Sequence, residues 1–238
     1  MTTEITRLDS PIDVMHLMHK AFRQLSERME LEMFRRQEGG DLSAFTALFE
    51  IWAKRILFHA TAEDAYMTAP LVDSQPARDN EAEHAELAQQ AGSLVAFLEK
   101  GDFAGLEANV KAAMAALEDQ QHQELAEKLH DVEEVLKREI GEDRVLARTR
   151  RHLYRKVVDL RVLEYDHFEN EEAFVLPLVR DRMTEAEQLN VARHLLMDEE
   201  SDDPRWIIDW VCSELTTGER MLLAGLELRL NRVSTLHA

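Results

Sequence analysis

Cysteine is almost absent from this chain. Cys212 stands alone among 238 residues, which excludes an internal disulfide framework and fits a reducing compartment. Glycine and proline are scarce, at eight and five, so turns are few and long helices are favoured. No stretch approaches the roughly 20 apolar residues of a membrane span. The opening MTTEITRLDSPIDV shows neither a basic start with an apolar run nor a cleavage site, so no leader is expected. Cations are short as well: 28 Lys and Arg stand against 47 Asp and Glu, a formal net charge of -19. That balance repels nucleic acid and anionic membrane surfaces. The expectation is a soluble, cytoplasmic protein with no nucleic acid and no membrane among its partners.

What is present is helical punctuation and apolar periodicity. Apolar residues make up 45% of the chain, enough for a core. Ser10-Pro11-Ile12-Asp13 supplies a cap, a proline at the first helical position and an early acid. The helix it opens is expected to run to Gly39-Gly40. Asp41 caps a second helix whose inward row reads Phe45, Leu48, Trp52, Ile56, His59, Glu63 and Tyr66. Pro70 and Pro76 are expected to bracket a loop before a third helix from about Asp79, with His84, Leu87, Ala91, Leu94 and Leu98 on one face. A long later helix, ending near Pro177–Arg180, carries Leu153, Val157, Leu160, Glu164, His167, Glu171, Phe174 and Leu178. Thr184 with Glu187 and Thr216 with Glu219 read as capping boxes of a helical tail. No strand-like alternation of useful length occurs, so the fold class is all-α.

Two segments repeat one chemical idea. His59-Ala-Thr-Ala-Glu63 and His167-Phe-Glu-Asn-Glu171 each set an imidazole and a carboxylate four residues apart. At about 100° per residue both side chains share one helix face, about 6 Å apart along the axis. A metal can take the imidazole nitrogen while the carboxylate chelates it or bridges to a second metal. Each pair sits on an apolar stripe, where an uncompensated carboxylate costs several kcal/mol. His19 and His84 stand on two further inward stripes. Imidazole and carboxylate together suit iron or manganese, and helix bundles are known hosts for such centres.

These segments, "MHKAFR", "FHATAEDAYMTAPL", "EHAEL" and "HFENEEAFVLPLV", resemble the hemerythrin-like (HHE cation-binding) domain family. The resemblance covers roughly residues 10–100 and 155–181. It implies a four-helix bundle with two irons, oxo- or hydroxo-bridged, held by His19, His59, Glu63, His84, His167 and Glu171. The tail, with "PRWIIDWVCSEL" and "TTGER", is similar to that of hemerythrin domains in plant iron-sensing ubiquitin ligases. The family's invertebrate oxygen carriers have a second third-helix histidine where this chain has Ala88. That departure implies a carboxylate-rich site less suited to reversible oxygen carriage. Roughly forty residues are also inserted between His84 and His167.

The expected organisation is a bundle over 10–181 and a C-terminal extension of two further helices over 182–235, packing on it. Within the insertion, residues 118–139 hold eight acids against three bases, and 144–161 hold seven bases against one acid. Folding about Gly141 pairs Glu134 with Arg148, Asp131 with Arg151, Glu127 with Arg155 and Leu129 with Leu153. The resulting hairpin over about 118–157 is either a passive extension of helices three and four or an arm for a protein partner or homodimer. His16, one turn before His19, is an alternative first-helix ligand. Glu164 reads as a bridging carboxylate or, preferably, a rim salt bridge; Tyr66 and Tyr165 read as packing rather than an oxygen pocket. The leading functional expectation is a di-iron protein that binds or reacts with oxygen, peroxide or nitric oxide, in sensing, iron handling or detoxification. A peroxidase or oxidase, and an interaction module with a structural metal, are the competing readings.

Overall fold

The computed structural model describes residues 4–100 and 142–234, and every regular element among them is helical. A single 3₁₀ turn, Pro11–Asp13, leads into α1 (Val14–Arg35). The Asp13 carboxylate accepts from the Asp9 and Ser10 amides at 2.7 and 2.9 Å and from the Ser10 hydroxyl at 2.8 Å. Gly39 and Gly40 follow α1 with φ of 148° and 97°, a backbone that only glycine adopts without strain. Asp41 then accepts from the Ser43 amide at 3.0 Å and opens α2 (Ser43–Glu63). The remaining helices are α3 (Gln75–Lys100), α4 (Glu142–Asn170), α5 (Leu176–Arg182), α6 (Glu185–Leu196), α7 (Trp206–Glu214) and α8 (Thr217–Ser234). Among the described residues no helix is long and apolar enough to cross a membrane.

The third helix begins earlier than its sequence suggests. Ser74 caps it, its hydroxyl accepting from the Ala77 amide at 3.4 Å. Pro76 is therefore the second helical residue, a place where the missing N–H has no intrahelical partner to lose. The tail holds three helices beyond α5, not two. Leu215 leaves the helical region at φ -94°, ψ 153°, which separates α7 from α8. Both expected capping boxes form: Thr184 with Glu187, and Thr216 with Glu219 at 3.0 and 3.3 Å.

Two π-helical turns interrupt the long helices, at Asp64–Thr68 after α2 and at Glu171–Val175 after α4. The Ala69 amide donates to the Asp64 carbonyl and the Leu176 amide to the Glu171 carbonyl, five residues back in each case. Pro70 and Pro177 follow, each two residues after its turn ends. A proline ring collides with the carbonyl four residues before it in a regular α-helix, and the widened turn relieves that crowding. Each π turn adds one residue and shifts the inward row by one. Met67 is buried instead of Tyr66, and Val175 and Val179 instead of Phe174 and Leu178. The rows before the turns keep the expected 3.6-residue phase from Trp52 to Glu63 and from Leu153 to Glu171.

Two compact units share these helices. The first comprises Met1–Gln24, Phe58–Ala82 and Asp166–Ala238; the second comprises Leu25–Leu57 and Glu83–Tyr165. In the first, Lys20 on α1 donates to Glu219 on α8 at 2.6 Å, both side chains buried, and Glu219 also accepts from the Ile5 amide at 3.0 Å. Arg180 pairs with Asp13. In the second, Phe45, Phe49 and Trp52 stack along α2, and Met29 and Met33 fill the core as expected of flexible side chains. The first half of the expected hairpin, and one member of each of its four pairings, lie outside the described residues. Of the basic side chains assigned to it, Arg151 grips Glu38 with contacts of 2.7 and 3.0 Å.

Candidate metal centre

The first unit gathers the two His-x-x-x-Glu segments and α1. His59 and Glu63 lie one turn apart at the end of α2, with Nε2 2.8 Å from Oε1. His167 closes α4 and Glu171 opens the π turn after it, Nε2 3.9 Å from Oε2. His19 reaches across from α1, its Nε2 3.1 Å from Glu171 Oε2. Ligand atoms of His19, His59, Glu63 and Glu171 all lie within 4.8 Å of one another, and Glu63 and His167 present atoms within the same distance. All five side chains are buried. His84, the sixth expected residue, is buried on α3 and belongs to the second unit.

The electrostatics of this cluster ask for a cation. Two buried carboxylates carry a desolvation cost of several kcal/mol each unless they are compensated. Among the described residues, neither Glu171 oxygen and neither His59 ring nitrogen makes a hydrogen bond of acceptable geometry. Groups of this kind, convergent and fully dehydrated, are the donor set that iron or manganese takes. The residues present therefore fit the metal. Without one, burial pushes the His19 imidazole down, but the Glu171 and Glu172 carboxylates beside its two nitrogens outweigh it and raise the ring to about 9.

Several surrounding residues differ from their sequence readings. His16 is half-buried and faces Glu172 at 3.5 Å, so His19 is the α1 residue in the cluster. Glu164 is no rim group: it is completely buried in the second unit and accepts from the Trp52 indole at 2.6 Å. Tyr66 is exposed and stacks on His194 with centroids 3.6 Å apart. Tyr165 donates to Glu27 at 2.9 Å, and burial, then that acid, pushes its hydroxyl up to about 12.

Sequence reasoning missed Glu172, Phe168 and Asn80. The Phe168 ring lies flat against His19, centroids 4.1 Å apart and 10° from parallel. Its place directly after His167 gave no signal, because consecutive helical residues face different ways. Asn80 is buried, and neither amide atom is hydrogen-bonded among the described residues. It sits four residues before His84, a spacing that marks the same helix face.

Comparison with known proteins bears on this geometry. Residues 10–120 match the hemerythrin HHE cation binding domain. No curated protein and no solved structure matches the chain. The hemerythrin match includes His19, His59, Glu63 and His84 but ends before His167 and Glu171. Those two come from the end of α4 and the π turn after it, and folding of the first unit sets them against His19 and Glu63. The matched segment and the residues at the end of α4 thus bring their imidazoles and carboxylates into one cluster that could hold a cation.

Proposed function

We propose that this chain is a cytoplasmic non-haem di-iron protein whose irons are held by His19, His59, Glu63, His84, His167 and Glu171. The observation that carries the reading is the convergence of buried imidazole and carboxylate atoms from α1, α2 and the π turn after α4 within 4.8 Å. When bound, a pair of irons supplies open coordination positions and electrons for oxygen, peroxide or nitric oxide. The chain's own part is to shield those positions from water, as the burial of Phe22, Phe168 and His59 around His19 does. Ala88, buried on α3, leaves the set one imidazole short of the invertebrate carriers. The donor balance then favours reaction with an oxidant over reversible carriage, and suits sensing, iron handling or detoxification.

Metal analysis of the purified chain tests the assignment. About two irons per chain are expected, as in other carboxylate-bridged bundles. The double variant His59→Ala/His167→Ala is expected to lose them; full loading of that variant would overturn the proposal.

A further inference from the structure

Glu172 follows a proposed ligand in sequence, yet it faces away from the clustered atoms. Its carboxylate is gripped by three residues of α1. Oε1 lies 2.8 Å from His19 Nδ1 and accepts from Arg23 Nη1 at 3.1 Å, while Oε2 lies 3.5 Å from His16 Nδ1. His16, His19 and Arg23 are spaced three and four residues apart and so share one helix face. The Arg23 guanidinium also sits over the Phe168 ring, 5.6 Å from its centroid, and Phe168 backs the His19 ring. Three sides of the imidazole are thereby set: Phe168 on its face, Glu172 at Nδ1 and Glu171 at Nε2.

A carboxylate only accepts hydrogen bonds, so the His19 nitrogen beside it carries the hydrogen. In the neutral ring this leaves the lone pair on Nε2, the atom 3.1 Å from Glu171 Oε2. We propose that Glu172 is a positioning residue, which fixes the tautomer and the orientation of His19 and thereby sets the affinity of the centre for divalent metal. The inference rests on the metal reading given above. Carboxylates in this relation to a ligating histidine orient the ring and raise its basicity, and their loss typically weakens metal binding 10–100-fold. Arg23 holds the carboxylate in turn, so the α1 face is built around this one acid.

The test is a Co(II) titration of the full chain, followed by visible absorption, with Glu172→Ala, Glu172→Asp and Glu172→Gln beside the wild type. Glu172→Ala is expected to weaken Co(II) binding by about 10–100-fold. Glu172→Asp, which withdraws the carboxylate by one methylene, is expected to lose less. Glu172→Gln still offers an oxygen acceptor and is expected to recover part of the affinity. A second readout reports the hydrogen bond itself. The paramagnetically shifted, exchangeable His19 Nδ1–H proton resonance of the Co(II) protein is expected in the wild type and Glu172→Gln, and to vanish by solvent exchange in Glu172→Ala. Should the Ala variant fail to fold, the Asp and Gln variants carry the same comparison. Wild-type affinity and an intact resonance in a folded Glu172→Ala or Glu172→Asp protein would overturn the role of Glu172 while leaving the metal reading standing. A wild-type chain that takes no Co(II) would sink both.

Discussion

Glu63 and Glu171 occupy matching places: each is a fully buried carboxylate at the threshold of a π-helical turn, Glu63 just before Asp64–Thr68 and Glu171 opening Glu171–Val175. Each turn ends two residues before a proline, Pro70 or Pro177. Such turns are rare and concentrate at functional positions. Here both adjoin the carboxylates of the candidate metal cluster. Their consequence for packing is the one-residue slip of the inward row.

That slip is measurable by truncation. Val175→Ala is expected to cost about 1–3 kcal/mol, because its side chain is buried. Phe174→Ala is expected to stay within about 0.5 kcal/mol despite its larger ring, since Phe174 is 61% exposed. Urea unfolding of the metal-free variants decides the point. The opposite ranking would mean that α4 keeps an uninterrupted 3.6-residue phase.

Trp52 and Glu164 form a second relationship that burial makes expensive to break. Trp52→Phe keeps the aromatic stack but removes the indole donor at Glu164. Loss of a bond to a buried charged group is expected to destabilise the chain by about 1–3 kcal/mol. Thermal and chemical unfolding should agree on this loss. An unchanged midpoint would show that the Trp52–Glu164 bond contributes nothing to stability.

Acidity of the metal-free chain follows from His19. Its ring is raised from the ordinary 6.5 to about 9 against burial by Glu171 and Glu172. The stability this charged ring contributes is therefore complete below about pH 6.5 and is lost as pH rises through about 9. Over that window the metal-free protein is expected to lose stability, and His19→Asn is expected to flatten the slope. Denaturation midpoints at a series of pH values provide the check, and identical slopes for the two proteins would refute it.

Lys20 and Glu219 tie α1 to α8 within the first unit. Glu219→Ala strands the buried Lys20 ammonium and is expected to cost about 3–5 kcal/mol. The double variant Lys20→Met/Glu219→Met is expected to recover most of that loss, because it removes both charges from the interior. Equal stability of the single and double variants would show that the lysine escapes to solvent when its partner is removed.

The all-helical class, the caps at Ser10, Asp41, Thr184 and Thr216, and the inward rows up to Glu63 and Glu171 were legible in the sequence, because capping and 3.6-residue periodicity are local physics. So was the ligand-type spacing His59–Glu63 and His167–Glu171, since four residues of helix bring two side chains to one face whatever surrounds them. The slip after each carboxylate was not legible: a π turn looks like ordinary helix in sequence, and only crowding before Pro70 and Pro177 within a packed unit selects it. The family resemblance favoured His19 over His16, but the residues alone, which share a face of α1, left both open. Residues 153 and 152 positions away decided between them, with Glu172 turning His19 Nδ1 outward and Glu171 meeting Nε2 inward. The sequence by itself determined which side chains are able to bind a cation. The tertiary structure decided which of them meet, because a contact between α1 and the end of α4 depends on packing that no local pattern encodes.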